Sequence, residues 1–146
     1  MIEILAILLV ASIIAALVLW KPDPTADAER SPAIDFQLGK PYFTEIVDDF
    51  KYQGVIQTLR QGEDVEIVLE PDHPYDPNAL CVRTMTNDPI GYIARNSWLR
   101  IAIALDGRGC NAWVDKISSQ SKGLQRVNIG VVLTAGPIEE RRYVKR

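Results

Sequence analysis

The stretch Glu70-Pro71-Asp72-His73-Pro74-Tyr75-Asp76-Pro77-Asn78-Ala79 gathers most of the side chains here that could do chemistry. Its three prolines each fix φ near about −65° and remove a backbone donor, while Asp72, Asp76 and Asn78 readily bond their own backbone in Asx turns. A stiff loop is therefore predicted. His73 and Asp76 each precede a proline, which pushes them towards extended geometry, so Tyr75 and the Asp76 carboxylate are expected to project in fixed directions. The Tyr75 ring offers a π face to a nucleobase, a contact worth about 1–3 kcal/mol per base, or else folds down as a lid. Asp76 repels phosphate but accepts a hydrogen bond from a sugar hydroxyl; otherwise it closes an Asx turn. His73 donates a hydrogen bond to a ligand or caps the turn. Downstream, Gly91-Tyr92-Ile93-Ala94-Arg95 adds Arg95 as a phosphate contact or a solvated charge, and Tyr92 as a second stacking ring or a core residue. Gly91 is suited to a bulge or to close backbone approach.

Other chemistries find little support. With one histidine and two cysteines, Cys81 and Cys110, there is no metal-ligand spacing and no disulfide framework, so no metal or cofactor is expected. The cysteines fall in strand-like runs and read as buried small hydrophobes. There is no phosphate-binding GxxxxGK[ST] loop, no HExxH, no dinucleotide-binding glycine pattern and no nucleophile in a familiar triad context, so the chain is expected not to be an enzyme. The net charge is −3, and from Pro41 onward 13 Lys and Arg face 14 Asp and Glu. Nucleic acid would have to be held by a few local cations, stacking and end recognition.

The elements that must position these residues are mostly strands. Val65, Ile67 and Leu69 alternate with Glu66, Val68 and Glu70, and Leu80 to Thr84, Pro89 to Ala94, Cys110 to Ile117 and Arg126 to Thr134 also read as strands. One helix interrupts them, capped by Asn96 or Ser97 and ended by Gly107, with Trp98, Ile101, Ala102 and Leu105 on its apolar face. The expected fold is mainly β: a small, partly open barrel of the OB or SH3 type with one α-helix. Four regions are expected: a transmembrane helix over 1–20, a linker over 21–40, the barrel over 41–135 and a loose basic tail over 136–146.

The transmembrane expectation rests on Ile4 to Trp20, 17 residues without a charge. As a helix this run covers about 25 Å, near the lower limit for a hydrocarbon core. Trp20 suits the interface, Lys21 and Arg30 follow the span and nothing basic precedes it, which predicts a single-pass anchor with the barrel in the cytoplasm. A cleaved signal peptide is the alternative, with Ala26-Asp27-Ala28 as its cleavage site but no basic residues before the apolar run. Pro22, Pro24 and Pro32 mark a linker spanning roughly 25 Å. The basic tail suits anionic lipid, a phosphate track or simple solubility.

The run from Glu70 to Leu80, with Gly91-Tyr92-Ile93 downstream, resembles the signature of the HIRAN domain family, over about Phe43 to Leu133. Such modules occur alone in bacteria and fused to helicase-like ATPases in eukaryotes. The resemblance implies an OB-like barrel that binds the free 3′ end of single-stranded DNA. It assigns Tyr75 and Asp76 to the terminal nucleotides and a basic residue, here Arg95, to phosphate. Two departures stand out: Phe50 and Lys51 occupy the place of an Arg-Tyr pair before Gly54, and His73 replaces a common Asn. Lys51 is then the expected phosphate contact there, with Phe50 or Tyr52 for stacking. The expected partners are a single-stranded DNA end, a lipid bilayer through residues 4–20, and a protein such as a helicase or nuclease. A membrane-tethered protein-interaction module is the rival reading.

Overall fold

The structure, a computed structural model, describes residues 37–143; the predicted span 4–20, the linker up to residue 36 and the last three residues of the tail lie outside that range. Among the described residues no helix is long and apolar enough to cross a membrane.

Six strands carry the fold: β1 (Pro41–Val47), β2 (Asp64–Glu70), β3 (Ala79–Thr84), β4 (Pro89–Ile93), β5 (Arg108–Ser119) and β6 (Gln125–Pro137). They follow one another round the barrel in the order β3-β4-β1-β6-β5-β2, and β2 then pairs with β3 along its full length. The expected partly open barrel is therefore closed, and every pairing between these six strands is antiparallel. Closure leaves few unpaired edges for other chains to join. Alternation fills the interior: Ile46, Val65, Ile67, Leu69, Leu80, Val82, Val114, Ile129 and Val131 all join one core.

Helical structure departs from the expectation of one helix. A 3-10 turn, Asp49–Tyr52, runs into a short α-helix, Gln53–Ile56, with no periodic pattern long enough to announce it. The predicted helix does begin where expected, with the Ser97 hydroxyl accepting from the Leu99 amide at 3.3 Å. After Trp98–Arg100 it widens into a π turn over Ile101–Leu105, where the Asp106 amide donates to the Ile101 carbonyl at 3.0 Å. Leu99, Ala102 and Ile103 enter the core, while Ile101 and Leu105, expected inside, are exposed. This segment is apolar nearly all round, so its period does not choose a face; the barrel end does.

The tail also differs from the sequence expectation. A two-residue strand, β7 (Glu139–Glu140), pairs parallel to β2 at Val68 and Leu69, and the Arg141 amide donates to the Leu69 carbonyl at 2.8 Å. The chain beyond β6 is thus bound to the barrel as far as Tyr143.

Gly91 fixes which side chains leave the core. Val82 faces Gly91 and Arg83 faces Pro89, so Ile90 is an extra residue bulged out of register. Ile90 and Ile93 can therefore both enter the core, and Tyr92 is turned outward. A Cβ on Gly91 would lie 2.7 Å from the Val47 carbonyl oxygen and 2.9 Å from Ile46 Cδ1, with φ at +156°. Gly91→Ala is expected to cost about 1–3 kcal/mol in urea unfolding. Gly54→Ala, at a helical position with nothing within 4 Å, is expected to be neutral or to stabilise by up to about 1 kcal/mol.

Candidate nucleic-acid interface

The proline spacing of three gives the loop between β2 and β3 its form. The His73 amide donates to the Glu70 carbonyl at 3.1 Å, the Asp76 amide to His73 at 3.3 Å and the Ala79 amide to Asp76 at 3.0 Å. Three β-turns thus follow one another, and Pro71, Pro74 and Pro77 each occupy the second position, where their fixed φ is already correct. Tyr75 falls at the third position of the middle turn. Its ring is directed outward, with the residue 82% exposed.

Asp76 is turned the other way. Its side chain is only 13% exposed, and its Oδ1 accepts from the Asn78 amide at 3.0 Å and from Arg100 Nη2 at 2.5 Å. Arg95 Nε stands 3.4 Å from Oδ2. The Asx turn considered from sequence is present, and two arginines reinforce it. Arg100, which no spacing in the sequence marked, also donates to the Arg95 carbonyl at 3.2 Å, so it ties the loop to the segment that follows β4. Arg95 donates to the Tyr75 carbonyl at 3.1 Å while its side chain stays 69% exposed. Asp72 does not bond its own turn; it accepts from the Tyr143 amide at 2.7 Å.

His73 caps the loop from within, its Nδ1 accepting from the Tyr75 amide at 3.3 Å. The imidazole also sits among three tyrosines, with ring centroids at 6.1 Å from Tyr75, 5.5 Å from Tyr92 and 4.7 Å from Tyr143, all edge-on.

Beside the loop lies a cleft of about 770 Å³. Five of the six residues singled out from sequence line it, namely Lys51, His73, Tyr75, Tyr92 and Arg95; Asp76 stands behind as a brace. Its floor is the outer face of β2, β3 and β4, where pairing places Val68, Cys81 and Tyr92 side by side. Glu70, fully buried there, takes an ion pair from Arg83 and a hydrogen bond of 3.1 Å from the Tyr92 hydroxyl. Burial of an unpaired charge would be very costly, so the Arg83 guanidinium is what lets Glu70 remain in place. Burial pushes the Tyr92 and Tyr52 phenols up from their usual range. Tyr92 is therefore a neutral, fixed donor.

The open cations of the cleft are few. Lys51 is half exposed, 3.5 Å from Asp48 and over the Phe50 ring at 5.4 Å, and Arg95 also lines the cleft. The Phe50 ring is exposed, whereas Tyr52 lines the cleft. Among the described residues no group of His, Cys, Asp or Glu is arranged to hold a metal ion. Both cysteines are free thiols, Cys81 buried and Cys110 partly so. Sequence reasoning missed Arg100, Glu70, Arg83 and Tyr143; only the bulk of tyrosine in a largely charged tail could have pointed to the last.

In comparisons with known proteins, the HIRAN domain pattern matches residues 44–135. The fold is similar to the HIRAN domain of human HLTF, with a TM-score of 0.51 at 18% identity, over 66% of this chain and 76% of that one. That likeness bears on the fold. A protein from Lactobacillus plantarum aligns with a TM-score of 0.45 at 22% identity, over 64% of this chain and 99% of its own. Comparison with curated proteins gives no match.

Arg100→Ala is expected to lower stability by about 1–3 kcal/mol, because a nearly buried carboxylate loses its main partner. Arg95→Ala, at an exposed pair, is expected to change it by under about 0.5 kcal/mol. Urea unfolding of both variants checks the contrast. Burial pushes the Cys81 and Cys110 thiols up to about 12, with the Glu70 carboxylate adding to the effect at Cys81. The folded chain then keeps protons that the unfolded chain releases. Stability should be unaffected by these groups below about pH 9 and fall as pH rises towards 12, in an unfolding series across that range. Iodoacetamide at pH 8 should label both thiols only after unfolding.

Proposed function

This chain belongs to the HIRAN domain family, and on that premise we propose that it is a membrane-anchored module that binds the 3′ end of single-stranded DNA without catalysing a reaction. The observation that carries the reading is an exposed tyrosine on a braced loop, at the mouth of a cleft that also holds Lys51 and Arg95. Tyr75 stacks the terminal base, Arg95 and Lys51 hold phosphates, and Tyr92 and His73 shape the floor beneath. The Asp76 geometry supports a specific account of end selection. Arg100 and the Asn78 amide keep Oδ1, whereas among the described residues Oδ2 has only the long contact to exposed Arg95. As Arg95 moves to a phosphate, Oδ2 becomes free to accept from a 3′-hydroxyl. A 3′-phosphate would set like charges against each other. The apolar run 4–20 is the proposed anchor, with the barrel on the cytoplasmic side. A second reading, a tethered protein-interaction module, draws on the near balance of charge from Pro41 onward.

Fluorescence anisotropy with short labelled oligonucleotides tests the proposal. The expected result is tighter binding of 3′-hydroxyl than 3′-phosphate ends and a shallow salt dependence, with a log–log slope of roughly −1 to −2 for about two phosphate contacts. Tyr75→Ala should weaken binding by about 1–3 kcal/mol with the melting temperature unchanged. Equal affinity for both ends would remove end recognition. Absence of binding, together with a protein partner recovered after nuclease treatment, would favour the second reading.

A further inference from the structure

The segment Glu139–Tyr143 lies beyond the family match, which ends at residue 135, yet it reaches the cleft. Ordering a segment costs conformational entropy, so its ties need a reason. They are several. Besides the β7 pairing, Arg141 forms ion pairs with Glu66 at 3.2 Å and Glu139 at 2.9 Å, and its Nη1 donates to Asn87 Oδ1 at 2.7 Å. That same oxygen accepts from Arg83 Nη1 at 3.0 Å, which joins the strap to the buried Glu70–Arg83 pair in the cleft floor. The Asp72 carboxylate then takes the Tyr143 amide. At the end of these ties one half-buried aromatic ring lies at the cleft wall, edge-on to His73.

Building on the DNA reading above, we propose that Tyr143 is a base-contacting residue that stacks the nucleotide next to the one on Tyr75, so the strap gives this chain a two-nucleotide grip. The geometry favours it because Tyr75 and Tyr143 are both in edge contact with one imidazole, which keeps the two rings within the reach of neighbouring nucleotides on one strand. Stacking tolerates any base, so the grip adds affinity and sets the minimum ligand length without adding sequence preference.

The test compares the unaltered protein with Tyr143→Ala, Tyr143→Leu, Tyr143→Phe and Tyr75→Ala, using 3′-hydroxyl oligonucleotides that carry 2-aminopurine at the last or the penultimate position. Tyr143→Ala and Tyr143→Leu should each weaken binding roughly 5- to 100-fold and relieve quenching at the penultimate base, while Tyr143→Phe stays within about twofold. Leucine keeps the bulk without the π face, so it separates stacking from packing, and a melting curve for each variant checks the fold. If Tyr143→Ala and Tyr143→Leu bind as tightly as the unaltered protein while Tyr75→Ala does not, the strap role is wrong and the DNA reading stands. If the unaltered protein binds none of these oligonucleotides, both fall.

Discussion

The Asp76 carboxylate is held from three directions, and the display of Tyr75 depends on that clamp. Two adjacent residues on one loop have opposite fates, the ring in solvent and the acid turned inward. Arg100 and the Asn78 amide take one oxygen and Arg95 approaches the other, so the third turn of the loop is fixed to the segment after β4. The prolines limit the shapes the loop can take; the clamp selects one and orients it on the barrel. Without it, Tyr75 would sit on a stiff loop with no fixed direction relative to the cleft.

A second constraint lies beneath. The outer face of β2, β3 and β4 carries a buried ion pair where an antiparallel barrel would ordinarily meet water, and Glu70 satisfies both oxygens through Arg83 and Tyr92. Desolvating two charges is expensive, and such a pair is weak evidence for stability. What it does here is geometric: it fixes the Tyr92 hydroxyl and, through Asn87, connects the cleft floor to the C-terminal strap. The bulge at Ile90 and Gly91 supplies the matching backbone change that turns Tyr92 outward while two isoleucines remain in the core.

Parts of this arrangement were legible because they depend on local chemistry. The strands from Val65, Leu80, Pro89, Cys110 and Arg126 follow from alternation, and the stiff loop follows from proline φ, both properties of short stretches. Ser97 as a cap and a bulge or close approach at Gly91 are of the same kind. The helical turns over Asp49–Ile56 were not legible, since four-residue segments carry no period. Nor was the inner face of Trp98–Leu105, where apolar residues on all sides leave the choice to the neighbouring barrel.

The sequence by itself determined a mainly β module, a rigid Pro-x-x-Pro-x-x-Pro loop, and the presence of a tyrosine, a carboxylate and nearby cations, because backbone restriction and residue chemistry act over a few positions. Only the tertiary structure decided that the barrel closes, that Asp76 is a brace while Tyr75 is exposed, and that Tyr143 joins a cleft formed some seventy residues earlier in the chain. Those outcomes rest on pairings between residues far apart in sequence, and the burial that makes a charge costly or a contact strong does not exist until the chain has closed on itself.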